Sequence, residues 1–96
     1  MLCSDDLKNL GNFGKYTSQN RINCYGPKHG ASYSPDSSGT MDLAKCFLAC
    51  NEDSQCDGIT VKWGDAGLVD CYLRGGIDPK KCEKTPKGTY STFTKD

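Results

Sequence analysis

Seven cysteines, one histidine and twelve acidic side chains are the residues of this 96-residue chain with chemistry to offer. Three cysteines stand close together, at Cys46, Cys50 and Cys56. Reduced, such a group can ligate zinc, but zinc sites favour paired Cys-x-x-Cys or mixed Cys/His sets. Here the spacing is Cys46-x3-Cys50-x5-Cys56, and the single histidine, His29, is distant in sequence. A nucleophilic Cys–His pair would need a free, activated thiol beside His29. Oxidised, the cysteines are structural, and so many in so short a chain mark a disulfide-stapled domain from an oxidising compartment. The chain is therefore expected to be secreted or extracellular, or to reside in an oxidising organelle lumen. The carboxylate neighbours Glu52 and Asp53 read as solvated loop charges rather than an acid–base couple. On these grounds the sequence points to no enzyme, no catalytic residue, no metal site and no cofactor.

The cysteines need elements to position them. Leu43, Cys46, Phe47 and Cys50 recur at i, i+3, i+4 and i+7, which is one face of a short helix. Asp42 is placed to accept hydrogen bonds from the first turn, and Met41 to pack on Cys46 as a hydrophobic staple. So short a helix does not stand alone in water, and the cysteines on its buried face are the means of fastening it. After the exit at 51–55, Ile59, Val61 and Trp63 alternate with Thr60 and Lys62, a strand with one buried face. Residues 64–67 are a turn, and Val69, Cys71 and Leu73 alternate with Asp70, Tyr72 and Arg74 as the hairpin partner. Trp63 falls on the apolar side next to the turn, at the core or its edge rather than as a stacking platform. Upstream, 20–25 reads as a first strand, 30–33 as a second and 34–39 as a loop. Downstream, Gly75-Gly76 breaks the hairpin strand, 80–84 crosses over, and 88–94 is a last strand rich in Thr and aromatics.

The expected fold is α+β: a twisted antiparallel sheet of about four or five strands with one helix packed across it, stapled by disulfides. Residues 1–19 read as an N-terminal arm or linker with one helical turn near 5–10, and 20–96 as the domain. Net charge is zero, with twelve bases against twelve acids. Nucleic-acid binding, which calls for clustered Lys and Arg, is not expected. No apolar run approaches the length of a membrane span. The first residues turn polar at once and carry no signal peptide. An oxidised chain would then be a mature fragment or an excised domain.

A helix bearing Cys-x-x-x-Cys, a short loop, Cys-x-Gly-Ile-x-Val, and a hairpin returning through Cys-Tyr together resemble the PAN/apple domain family. The residues that carry the resemblance are Cys46, Cys50, Cys56, Gly58, Ile59, Val61, Cys71 and Tyr72. Asn23-Cys24-Tyr25-Gly26 upstream, and Cys82 with Thr89-Tyr90 downstream, fit the closure of the domain ends; the match spans about 22–94. The resemblance implies three disulfides, Cys46–Cys71, Cys50–Cys56 and Cys24–Cys82, with Cys3 unpaired. Cys3–Cys82 with Cys24 free is the alternative. An unpaired Cys3 offers a link to a disulfide-bonded partner. The family implies an adhesive module that holds carbohydrate or protein, so carbohydrate binding of lectin kind and protein–protein interaction are the two expected roles. A small disulfide-stabilised structural subunit, docked on a larger complex in an oxidising lumen, is the alternative.

Two patches are candidates for ligand binding. Tyr25, Lys28, His29 and Tyr33 cluster in a Gly/Pro-rich segment expected to be an exposed loop, where the plainer reading is that the tyrosines cover the sheet and His29 is a surface histidine. The outward face of the hairpin offers Thr60, Lys62, Asp70, Tyr72 and Arg74. A Tyr/Arg pair is typical of a protein-binding hot spot, while the plainer reading is a solvated face with cross-strand ion pairs such as Lys62–Asp70. Lys80, Lys81, Lys84 and Lys87 offer charge to an anionic glycan or membrane surface, but the plainer reading is that they keep a loop soluble.

Overall fold

A computed structural model describes residues 16–95. Cys3 and the helical turn expected near 5–10 lie outside the described residues. The elements in chain order are β1 (Tyr16–Asn20), β2 (Ile22–Asn23), β3 (Ala31–Tyr33), β4 (Thr40–Asp42), α1 (Leu43–Asn51), β5 (Gly58–Trp63), β6 (Leu68–Ile77), a 3₁₀ turn at Pro79–Lys81, β7 (Glu83–Lys84) and β8 (Tyr90–Lys95). Mostly antiparallel sheet with one helix, the fold is of the α+β class. The main sheet has six strands rather than four or five, in the order β1-β8-β5-β6-β3, with β4 also on β6. Strands β2 and β7 form a separate two-stranded sheet.

Two sequence readings explain the extra strands. The stretch 20–25 was expected to run as one strand, but Arg21 turns the backbone left-handed at φ 66°. That turn lets the chain change partners: β1 pairs with β8 and β2 with β7. The sheet thereby takes in residues 16–19 of the expected arm. The second extra strand, β4, lies just after the expected loop and pairs Thr40, Met41 and Asp42 with Asp70, Val69 and Leu68.

Strand β6 also runs longer than expected, straight through Gly75-Gly76 to Ile77, where it holds β3. The glycines permit close approach rather than ending the strand. A Cβ on Gly75 would collide with the Gln55 carbonyl and press on Tyr33, and one on Gly76 would strike the Ser32 hydroxyl.

The first core lies between α1 and one sheet face. It gathers Cys46, Phe47 and Cys50 from the helix with Cys56, Ile59, Val61, Val69 and Cys71, flanked by Tyr16, Met41, Leu43, Leu73 and Phe93. The Phe47 ring sits between Tyr16 at 4.5 Å and Phe93 at 5.2 Å, tilted on the first and edge-on to the second. Such pairs add about 0.5–1.5 kcal/mol beyond the area they bury. Met41 packs against this cluster from the strand before the helix. Asp42 occupies the N-cap position, but its side chain makes no capping hydrogen bond, contrary to expectation. It is held instead by its place in β4, opposite Leu68, with its side chain exposed.

Nine residues of helix are too few to persist alone, and cystines supply the fastening. Cys46 is bonded to Cys71 in β6, and Cys50 to Cys56 across the helix exit. A third bond, Cys24–Cys82, closes a small second core on the opposite sheet face, with Ala31, Ile22 and Ile77. Three intramolecular disulfides are the mark of an oxidising environment. Among the described residues no helix is long and apolar enough to cross a membrane.

Candidate functional site

Strand alternation places Thr60 and Lys62 of β5, Asp70, Tyr72 and Arg74 of β6, and Tyr90 and Thr92 of β8 on the sheet face turned away from α1. That face was expected to meet solvent. Instead Thr60 and Thr92 are fully buried and Arg74 retains only 5% exposure. The cover is the chain from Ile22 to Pro35, pinned by Cys24–Cys82. A sheet clad on both sides has no solvent face to read from alternation alone.

Polar residues on a buried face must find partners, and these do. The Thr60 and Thr92 hydroxyls share a 2.8 Å hydrogen bond. Thr92 Oγ1 donates to the Ile22 carbonyl at 3.2 Å, and Thr60 Oγ1 lies 3.4 Å from both the amide and the carbonyl of Cys24. Arg74 does most to tie cover to sheet. Its Nε donates to the Cys24 carbonyl at 2.7 Å, and its Nη1 to the carbonyls of Pro35 at 2.8 Å and Leu73 at 2.9 Å. Burial pulls the guanidinium below its ordinary pKa, an effect opposed by Tyr72 and Asp36. Among the described residues no acceptor takes the Nη2 N–H pair.

Where the cover ends, an open cleft of about 220 Å³ remains, lined by Asn23, Tyr25, Tyr72, Arg74 and Tyr90. The Arg74 guanidinium carbon lies 5.0 Å from the centroid of the Tyr72 ring, a cation–π contact that fixes both groups. Tyr25 is held on its other side. Its ring stacks on His29 at 4.5 Å, its amide donates to the His29 carbonyl at 3.1 Å, and its hydroxyl donates to Glu83 at 3.2 Å. Desolvation raises the pKa of both tyrosines, reinforced by Glu83 at Tyr25 and by Asp70 at Tyr72. Both stay neutral hydroxyls, able to donate and accept, across the physiological range.

The cleft thus draws on both sequence patches, taking Tyr25 from one and Tyr72 and Arg74 from the other. His29 stands behind Tyr25, and Lys28 is exposed in the same turn. Tyr33 goes elsewhere: its hydroxyl donates to Asp53 at 2.6 Å beside the helix exit. That bond raises the Tyr33 pKa and is the main reason the Asp53 pKa falls. Lys62 stands opposite both Asp70 and Tyr90 in the ladders, and Asp70 also accepts from the Thr40 hydroxyl at 2.8 Å. Two lining residues, Asn23 and Tyr90, were in neither patch. Tyr90 was visible as part of the last strand and of the resemblance at the domain ends, and its neighbours depend on which strand β8 joins.

Three phenol rings, an amide and a guanidinium provide flat apolar faces and directed hydrogen bonds. The six cysteines among the described residues are all in disulfides. Among the described residues no group of His, Cys, Asp and Glu is arranged to hold a metal ion. No protein-family profile, no curated protein and no solved structure matches this chain.

Proposed function

We propose that this chain is a non-enzymatic recognition module of PAN/apple kind that takes a carbohydrate in the tyrosine cleft, and that it works outside the cell or in an oxidising lumen. The observation that carries the reading is the convergence of Tyr25, Tyr72 and Tyr90 with Asn23 and the buried Arg74. Sugar rings present apolar C–H faces to aromatic rings and hydroxyls to planar polar groups, and the cleft has both. Arg74 is held by three carbonyls and a ring before any ligand arrives, so little ordering is left to pay for on binding.

Size sets the ligand. At about 220 Å³ the cleft falls below the ~300–1,000 Å³ of ordinary small-molecule pockets. It suits one terminal ring, not an oligosaccharide. A dozen or so non-hydrogen atoms at about −0.3 kcal/mol each give roughly −4 kcal/mol, a Kd on the order of 1 mM. Useful adhesion then depends on several copies acting together.

A glycan array probed with oxidised protein clustered on a multivalent carrier tests this. Binding to one sugar class, lost in Tyr72→Ala and Tyr90→Ala, supports the carbohydrate reading. A blank array with all three disulfides intact moves the cleft to the second reading, a protein hot spot built on the same Tyr/Arg pair. A docked structural subunit is a third reading, favoured by the exposure of Leu48, Trp63 and Leu68.

A further inference from the structure

Next to the β1–β2 turn lies a second concave region that shares no residue with the tyrosine cleft. One hollow of about 390 Å³ is lined by Asn20, Arg21, Trp63, Lys87 and Ser91. Another of about 420 Å³ is lined by Arg21, Ile22, Lys84 and Thr85. Asn20 and Arg21 line both, so the two hollows adjoin at the β1–β2 turn and are taken together as one groove.

The floor of the groove is fixed. Trp63 Nε1 donates to the Ser91 hydroxyl at 2.9 Å, and that hydroxyl donates to Asn20 Oδ1 at 3.0 Å. This relay crosses three strands, β5, β8 and β1, and sets the angle of the indole. Trp63 is nonetheless 39% exposed, so part of the side chain remains accessible at the end of β5. The sequence had assigned it to the core or its rim.

Arg21 is also fixed, at some cost. Its φ of 66° is a conformation that favours glycine, and a non-glycine residue there costs roughly 1 kcal/mol or more. Two backbone bonds hold it: its amide donates to the Tyr90 carbonyl at 3.0 Å, and its carbonyl accepts from the Thr85 amide at 2.7 Å. The side chain is exposed. Among the described residues nothing pairs with the charged groups of Arg21, Lys84 or Lys87. The Thr85 hydroxyl is the one buried side-chain polar atom without a partner among the described residues, and Thr85 lines the same groove. Three cations without a partner among the described residues, the buried Thr85 hydroxyl and a partly exposed indole therefore belong to adjoining hollows.

We propose that this groove is a binding site for an acidic saccharide, with a carboxylate or sulfate on Arg21 between Lys84 and Lys87 and a sugar ring against Trp63. A guanidinium matches the planar, two-oxygen edge of either anion. The indole accounts for the sugar, which a simple anion site would not need. Three cations in a concave groove on a chain of zero net charge are too few and too local for a nucleic-acid track. The two hollows together accommodate more than one ring, unlike the tyrosine cleft. The proposal stands independently of that cleft.

Trp63 is the only tryptophan in the sequence, so intrinsic fluorescence reports on this groove directly. The oxidised protein is titrated with a galacturonic acid tetramer, a sulfated tetrasaccharide, neutral maltotetraose and inorganic sulfate. Saturable change in Trp63 emission with an acidic tetrasaccharide, but not with maltotetraose, is expected. The affinity should weaken as salt rises, because screening reaches about 10 Å at 0.1 M. Arg21→Gly suits the left-handed backbone and keeps the fold. It should weaken binding at least about tenfold, the loss of one charge-assisted contact. Lys87→Ala should weaken it less, and Tyr72→Ala not at all. An unchanged affinity in Arg21→Gly, or no response to either acidic tetrasaccharide, overturns the proposal. So does an equal response to inorganic sulfate, or binding only to anionic lipid vesicles.

Discussion

Replacing Arg74 with methionine tests whether one side chain holds the cover on the sheet. Methionine keeps most of the apolar stem and removes the head, together with hydrogen bonds to the carbonyls of Cys24, Pro35 and Leu73. Bonds from a charged donor contribute about 1.5–3 kcal/mol each, and they do not add fully. Against this stands the desolvation of the guanidinium, which the substitution relieves and which shows in the lowered Arg74 pKa. The Cys24 carbonyl keeps only a 3.4 Å contact with Thr60, so it is left nearly unpaired. The expected net loss is about 2–4 kcal/mol, or a fall in Tm of roughly 10–25 °C for a domain of this size. Urea unfolding with the disulfides intact measures it. Hydrogen exchange locates it: the amides of Tyr25 and Ala31, bonded within the cover, should exchange faster while the β5–β6 ladder stays protected. Arg74→Lys should recover less than half the loss, because one ammonium cannot address three carbonyls in a fork. A change below about 0.5 kcal/mol in Arg74→Met, with unchanged exchange in the cover, would refute the reasoning.

Removing disulfides as Cys-to-Ala pairs should cost stability in the order of the loops closed. From separations of 58, 25 and 6 residues the chain-entropy estimate is about 4.2 kcal/mol for Cys24–Cys82, about 3.5 for Cys46–Cys71 and about 2.4 for Cys50–Cys56; calorimetry that ranks Cys50–Cys56 first would contradict it. Stability should also fall in alkali. The pKa values of Tyr16, Tyr25, Tyr33 and Tyr72 are raised above 10.0 in the fold, so the neutral form is favoured there. Their contribution is complete below pH 10 and is lost as pH rises through the raised values. Tyrosinate absorbance of the folded protein should therefore lag behind that of the unfolded chain, and coincident curves would disprove this. Tyr33→Phe should let the Asp53 pKa climb back toward its ordinary value, followed by NMR of the carboxyl carbon; an unmoved titration would show that the 2.6 Å bond does not set it.

The helix and the hairpin were legible because each has a local period. Cys46, Phe47 and Cys50 are buried where a 3.6-residue repeat puts them, and Ile59 and Val61 where a two-residue repeat does. What lay on the other face was not legible. Alternation says that Thr60 and Arg74 point away from the helix, and nothing local says that residues 22–35 return to cover them. That return rests on contacts across 36 to 58 residues of chain. Strand β4 is three residues long and too short to show a period, and Gly75-Gly76 looked like a stop because the residues pressed against it are remote. The same limit divided the site. Tyr25 and Tyr72 stood in separate patches, and Tyr90 in none, because their meeting depends on the order of strands.

The antiparallel pairing of β1 with β8 sets how the domain bears load. Tyr16 and Lys95 are register partners, so tension applied at 16 and 95 peels these strands apart one bond at a time instead of shearing them. Peeling ends at Cys24–Cys82. Among the described residues only the eight at 16–23 and the thirteen at 83–95 lie outside that covalent loop, so a pull between 16 and 95 releases at most about 75 Å of chain at ~3.6 Å per residue. Beyond that extension the pull passes through the Cys24–Cys82 sulfurs and bypasses the helix and hairpin. The domain is a short, soft spring with a hard stop, and reduction of a single bond removes the stop.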